Sequence, residues 1–263
     1  MEYPGECVYN KKQRVVLFSL TRKGFSGMQE IRAKLIERLK RTPTVESFRF
    51  LPPQKQPFLP GQFLQVIFDE AQRENRELNK YLSLSCSPQR DYLEVTKRIS
   101  DSAFSRKLAG LQKGEAVLLK LPMGNCVFKE EYPKIGFLIG GIGITPVISI
   151  LEYIADKKLT TDVELFYSNR TEDEIAFKQE IDAWQRQNPA IKVFYTVTDC
   201  RPKDEQCFFG VIDKNLFQQK TCDAQERRLF IFGPPRMVEA MKSVALEVGC
   251  RQQNIMTENF IGY

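Results

Sequence analysis

A chain of 263 residues with 42 % hydrophobic and 27 % charged side chains has the composition of a soluble globular protein of one large or two ordinary domains, and none of its apolar runs approaches the roughly 18 residues of a membrane-spanning helix. It contains no histidine, which excludes Ser-His-Asp, Cys-His and histidine–zinc chemistry and leaves hydride or electron transfer through a cofactor as a natural candidate. The net charge of +6 is too weak, and too free of basic–aromatic runs, for nucleic acid, but it suits an acidic protein partner.

Residues 1–27 are polar, without clear period, and carry five basic residues against two acidic; they are read as an N-terminal extension of unknown role. Residues 28–132 then run through short β-rich segments. A rough alternation at Ala33, Leu35 and Glu37 to Leu39 is followed by Val45 to Phe50, Phe63 to Phe68, Tyr81 to Ser85, Tyr92 to Thr96 and Ala116 to Leu121. Pro52-Pro53, Pro60-Gly61 and Ser87-Pro88 supply turns, and Phe104, Leu108 and Leu111 mark one short helix. Strands at this spacing predict an antiparallel barrel or sandwich.

Beyond Tyr132-Pro133, over residues 133–263, strands alternate with helices. Ile135 to Ile139, Val163 to Tyr167, Val193 to Val197 and Leu229 to Phe232 read as buried strands. Thr171 and Glu174 have capping-box spacing ahead of Phe177, Ile181 and Trp184 on one helical face. Pro234-Pro235 opens another helix, with Met237, Met241, Val244 and Val248 aligned and Gly249 as its stop. The pattern predicts a doubly wound parallel α/β sheet with its ligand at the carboxyl ends of the strands.

The most informative stretch is Leu138-Ile139-Gly140-Gly141-Ile142-Gly143-Ile144-Thr145-Pro146. A buried strand breaks into glycines and meets Thr145, a good N-cap, and Pro146, suited to the first helical position. Backbone N–H groups and the helix dipole at such a place can hold a pyrophosphate. The third glycine of the dinucleotide fingerprint is replaced by Pro146, so on this segment alone both a nucleotide site and an ordinary strand–helix turn stand. The seven cysteines are scattered, with no C-x₂-C and no plant-type cluster spacing, which predicts reduced thiols, no metal and a cytoplasmic location.

Five ordered motifs then carry a resemblance: Pro60-Gly61-Gln62, Lys80-Tyr81-Leu82-Ser83, Ser102-Ala103-Phe104-Ser105, Gly141-Ile142-Gly143-Ile144-Thr145-Pro146 and Gly233-Pro234-Pro235-Arg236-Met237. From about Met28 to Tyr263 the chain resembles the ferredoxin–NADP reductase superfamily, without a fused iron–sulfur domain. The resemblance implies a barrel that binds FAD over residues 28–132 and an α/β domain that binds NADH or NADPH over residues 133–263, with hydride passing between the two rings at the cleft.

By that resemblance Ser83 donates a hydrogen bond to the flavin nitrogen that accepts hydride, and Lys80 takes the place of an arginine that pairs the flavin phosphate. A lysine keeps the charge but loses the bidentate fork. Leu82 stands where a tyrosine usually covers the flavin; whether Tyr81 compensates is left open, since successive strand residues face opposite sides. Thr96 and Lys97 fall on the strand lining the flavin, and Phe104 and Ser105 on a helix offering its N–H groups to a diphosphate. In the second domain Gly141, Gly143, Ile144, Thr145 and Pro146 form the dinucleotide turn, and Gly233, Pro234, Pro235 and Met237 hold the nicotinamide half. Asn169 and Arg170 follow the second strand, where an acid favours NAD and a base NADP; Arg170 either meets a 2′-phosphate or faces solvent. Glu258 and the terminal Tyr263 are the residues expected to approach the flavin, Glu258 with a catalytic role.

The expected function is a flavin-dependent NAD(P)H reductase that passes electrons to a separate acceptor: ferredoxin, flavodoxin, or an iron–sulfur or haem subunit. The alternatives are an electron-transfer subunit of a larger complex and a degenerate, non-enzymatic flavin-binding module. With no imidazole, flavin reduction is expected to vary little between about pH 6 and pH 8.

Overall fold

The computed structural model describes residues 27–260. The expected extension at 1–27, Gly27 aside, and the terminal Tyr263 lie outside those residues.

Six strands build the first half: β1 (Gln29–Lys40), β2 (Val45–Leu51), β3 (Phe63–Ile67), β4 (Asn79–Ser83), β5 (Leu93–Arg98) and β6 (Ala116–Met123). They pair antiparallel in the order β4-β3-β6-β1-β2-β5. An antiparallel bridge between Leu84 and Val95, with Ser85 N–H donating to the Glu94 carbonyl at 2.8 Å, joins the two outer strands and closes the barrel. Alternation puts Leu35, Phe48, Phe50, Leu64, Val66 and Leu119 into one apolar interior. The helix α1 (Ala103–Gly110) plugs it with Phe104 and Leu108, and the Ser102 hydroxyl caps its first turn.

The second half holds β7 (Lys134–Gly140), α2 (Thr145–Lys157), β8 (Asp162–Asn169), α3 (Lys178–Gln187), β9 (Ile191–Val197), β10 (Phe208–Phe209), α4 (Lys214–Lys220), β11 (Arg228–Gly233), α5 (Pro235–Glu247) and β12 (Ile255–Asn259). All six strands are parallel, in the order β10-β9-β8-β7-β11-β12. Ile135, Phe137 and Ile139 pack with α2 and α3 on one face, whereas Leu138, Leu229 and Ile231 pack with α4 and α5 on the other. The sheet is therefore doubly wound, and its strand order reverses where β7 meets β11, which is where such sheets open a crevice.

Two helix starts differ from the sequence expectation. Thr145 is not an N-cap: a 3₁₀ turn over Gly141–Ile144 leads straight into α2, Thr145 is its first residue, and its hydroxyl donates back to the Ile142 carbonyl at 3.2 Å. The Thr171–Glu174 box does not open a long helix either. It closes one 3₁₀ turn, Glu172–Glu174, and α3 begins only at Lys178. Burial decides this, because Ile175, Ala176 and Phe177 drop into the α/β core and Phe177 takes φ 62, which breaks the helical path. The short β10 and α4 carry no periodic signal and were not anticipated. Gly249, at φ 90, does stop α5.

The two halves are joined by polar contacts. Arg90 pairs with Glu152 and Asp156 of α2 at 2.8 and 3.0 Å, Ser149 donates to the Cys86 carbonyl, and Arg41 reaches Glu180 of α3 while lying 4.3 Å from the Phe177 ring. Val45 of β2 is part of the α/β core.

Candidate functional site at the cleft

A cavity of about 500 Å³ opens at the carboxyl ends of β7, β8, β9 and β11. Gly140, Gly141 and Ile142 form one wall; Ser168, Asn169, Arg170 and Thr198 line the ends of β8 and β9. Pro234, Met237 and Phe260 complete the α/β side, Glu174 sits at its 3₁₀ turn, and the barrel contributes Arg98 at the end of β5.

The glycine turn is built for close approach. Gly141 has φ 52, the left-handed region that favours glycine, and a Cβ there would meet nothing within 4 Å. Gly143 is needed for packing instead: its Cβ would stand 2.6 Å from the Phe232 carbonyl oxygen. The turn can therefore nestle against β11 and bring the start of the continuous 3₁₀–α2 helical segment, with the partial positive charge of its dipole, to the cavity wall. Ile144, Thr145 and Pro146 are buried behind it as packing residues.

Asn169 is 6 % exposed and lines the cavity, and among the described residues neither atom of its carboxamide makes a hydrogen bond of acceptable geometry; the Thr196 hydroxyl nearby in β9 is in the same state. Each such buried group costs about 1–3 kcal/mol, so a carboxamide left so beside a cavity marks a place for a polar ligand. Arg170 is exposed at the mouth. The tail is held close, since Phe260 N–H donates to the Gly233 carbonyl at 3.0 Å.

The barrel residues separate by face. Leu82 is buried in the barrel interior, as is Phe104, which packs on Phe68 at 5.3 Å; the Leu82 side chain therefore does not stand outward as a covering residue, and Phe104 contributes its side chain to the core, leaving only its backbone at the start of α1 for a ligand. Thr96 also turns inward, its hydroxyl shared with those of Ser47 and Ser85 at 2.6 and 2.7 Å. Tyr81, by contrast, is 54 % exposed, edge-on to Phe63 at 5.8 Å, and Ser83 shares its face two residues on. Tyr81 is thus the outward aromatic of this strand, and Leu82 is a core residue. Ser105 lies in a hydroxyl cluster with Ser100 and Ser102 at the start of α1.

Lys97 is buried, with its ammonium donating to the Arg98 carbonyl at 3.1 Å. Burial, and then the charge of Lys80, push it down to about 8. A buried lysine beside a second, partly exposed one suits an anionic group. At the seam between the halves, Glu258 pairs in register with Phe232, and burial pushes its carboxyl up to about 7 against the pull of a hydrogen bond with Cys126. The Cys126 thiol is pushed up to about 12, first by burial and then by Glu258.

The cavity thus gathers Gly141, Asn169, Arg170, Pro234 and Met237 of the expected residues, with Gly233 just behind. Pro235 is exposed as the first residue of α5. Lys80, Tyr81, Ser83 and Ser105 lie on the barrel and do not line this cavity. Arg98, Glu174, Thr198, Phe260 and Cys126 were missed. Arg98 follows Lys97 at a strand end and was legible as such, whereas Glu174 was absorbed into a capping motif.

Residues 137–243 match the family model of the oxidoreductase NAD-binding domain. The NADH-cytochrome b5 reductase 1 of Ajellomyces capsulatus is 26 % identical over 97 % of this chain and 83 % of its own length. A plasma membrane-associated coenzyme Q reductase of Saccharomyces cerevisiae is 33 % identical over 66 % of this chain, which spans only 57 % of that relative. Among solved structures, the FAD/NAD-binding domain of a nitric oxide dioxygenase from Vibrio cholerae superposes with a TM-score of 0.77 at 18 % identity, over 88 % of this chain and 98 % of that one, a likeness of fold. Among the described residues no helix is long and apolar enough to cross a membrane, and no cluster of candidate metal ligands occurs.

Proposed function

We propose that this chain, with its two-domain fold and the match of residues 137–243 to an oxidoreductase NAD-binding domain, is a member of the ferredoxin–NADP reductase superfamily and an FAD-dependent NADH oxidoreductase delivering electrons to a separate protein acceptor. The observation that carries this reading is the cavity at the strand-order reversal, with a left-handed glycine on one wall and the unsatisfied Asn169 carboxamide on another. Bound FAD would supply a ring that takes hydride from the nicotinamide and gives its electrons up one at a time.

The chain's own residues divide the work. The Gly140-Gly141-Ile142 turn and the α2 terminus receive the dinucleotide diphosphate, and Asn169 gives its carboxamide to the adenosine half. Lys80 and Lys97 would offset the charge of the flavin diphosphate, Tyr81 beside Phe63 would present an aromatic face to the flavin, and Ser83 would donate a hydrogen bond to it. Glu258, half-buried beside Cys126, holds a proton at the seam near neutral pH. Against the degenerate alternative, the strand still presents an aromatic, Tyr81, on the same outer face as Ser83.

NADH is preferred as donor because the relatives so named use it, and a haem protein of the cytochrome b5 kind is preferred over ferredoxin or flavodoxin as acceptor for the same reason. The test is the absorbance spectrum of the purified protein, then anaerobic addition of NADH or NADPH. A flavin spectrum bleached faster by NADH supports the reading; a protein that takes up no FAD on reconstitution refutes it.

A further inference from the structure

Arg98 and Glu174 face each other across the cleft, one ending a barrel strand and the other ending a 3₁₀ turn of the α/β domain. Both line the cavity that also holds the glycine turn. Their contact is long for a charge-assisted pair, Nη1 to Oε1 at 3.3 Å, and both side chains are partly exposed, at 29 % and 26 %. The same Nη1 donates to the Thr44 hydroxyl at 2.7 Å, which fixes the guanidinium in the cleft whatever Glu174 does. Both hydrogen bonds of this guanidinium leave from Nη1, so its Nη2 edge is not engaged among the described residues. Glu174 is the one carboxylate among the residues lining the cavity, set beside two arginines.

We propose that Arg98–Glu174 is an exchangeable latch: the guanidinium leaves Glu174 for the diphosphate of the incoming dinucleotide, so the barrel itself grips the ligand bound by the other domain. A dinucleotide brings two negative charges to a cavity whose glycine wall belongs to α/β and whose fixed cation belongs to the barrel. Arg98 supplies the planar donor set that matches phosphate oxygens, and Glu174 is the anion it must give up. The proposal rests on the dinucleotide reading of this cavity.

A latch and a strut make opposite demands on Glu174. With the holoprotein and ADP-ribose as probe, calorimetry should show binding weakened about tenfold or more in Arg98→Met, the loss of a hydrogen-bonded charge. Binding should be about two- to fivefold tighter in Glu174→Gln, since a partly exposed competing ion pair is removed. In the double variant the gain from Glu174→Gln should vanish, because Glu174 acts only through Arg98. Arg98→Lys should fall between parent and Arg98→Met, and serves in its place if the latter does not fold. The latch is overturned if Glu174→Gln weakens binding or leaves it unchanged, if its gain persists without Arg98, or if Arg98→Met and Arg98→Lys bind as the parent does. A parent that binds no ADP-ribose refutes the dinucleotide reading itself, a separate outcome.

Discussion

If Lys97 meets the flavin diphosphate, as proposed, the affinity for FAD and the stability of the apoprotein should run in opposite directions with pH. An ordinary lysine titrates at 10.5, and burial followed by the charge of Lys80 brings this one down to about 8. Between those values the unfolded chain holds a proton that the folded chain has released, so this group's contribution to stability rises as pH climbs from about 8 to 10.5. The full displacement corresponds to about 3 kcal/mol, and screening by water around the ammonium reduces it to about 2. A bound diphosphate reverses the preference, because it needs the charged form. Binding then takes up a proton, and FAD affinity should fall above pH 8 with a slope approaching about tenfold per pH unit. The assay is quenching of FAD fluorescence on titration with apoprotein from pH 6.5 to 9.5, beside urea melts of the same apoprotein. Lys80→Met should weaken FAD binding below pH 8 and move the fall to higher pH, since the neighbouring charge that depresses Lys97 is gone. Lys97→Met should flatten both curves. A parent affinity constant to pH 9.5, or a Lys97→Met curve like the parent's, would refute the assignment.

Gly143→Ala should destabilise by about 1–3 kcal/mol in urea melts, because its new Cβ would meet the Phe232 carbonyl at 2.6 Å, whereas Gly141→Ala, opening into free space at φ 52, should cost only about 1 kcal/mol. Equal losses at the two glycines would contradict this. Ser83→Ala should keep FAD yet slow anaerobic flavin reduction by up to about 10²–10³ in stopped-flow; an unchanged rate removes its role. Glu258 should place an inflection near pH 7 in that reduction rate, and Glu258→Gln should abolish it.

Most of the fold was legible because strand signals are local. Val45 to Phe50 or Ile135 to Ile139 declare themselves by alternation or by a continuous apolar run, and the glycine turn announces itself by composition. What escaped were features decided by burial. Phe177 has the spacing of a helix face, yet the core takes it as the residue that stops the chain from being helical. Thr145 has the chemistry of a cap, yet the preceding 3₁₀ turn leaves it inside the helix.

The site divides the same way. Residues whose role follows from backbone geometry, Gly141 and Gly143, are readable from the sequence, because a positive φ and a 2.6 Å approach each demand glycine. Residues whose role follows from which way a side chain points are not, and Tyr81 and Leu82 show why: the motif spacing names Leu82, whereas the register pairing Gln65 with Tyr81 and Leu64 with Leu82 sends Leu82 into the barrel. A one-residue offset changes the face of every side chain in a strand. The titrating groups were hidden for a third reason. The absence of histidine made a flat pH profile the natural expectation, but burial brings Glu258 up to about 7 and Lys97 down to about 8 from opposite ends of the scale. Two residue types that are ordinarily silent near neutrality thereby occupy the window a histidine would have filled, and each does so because the seam and the barrel wall withhold water from it.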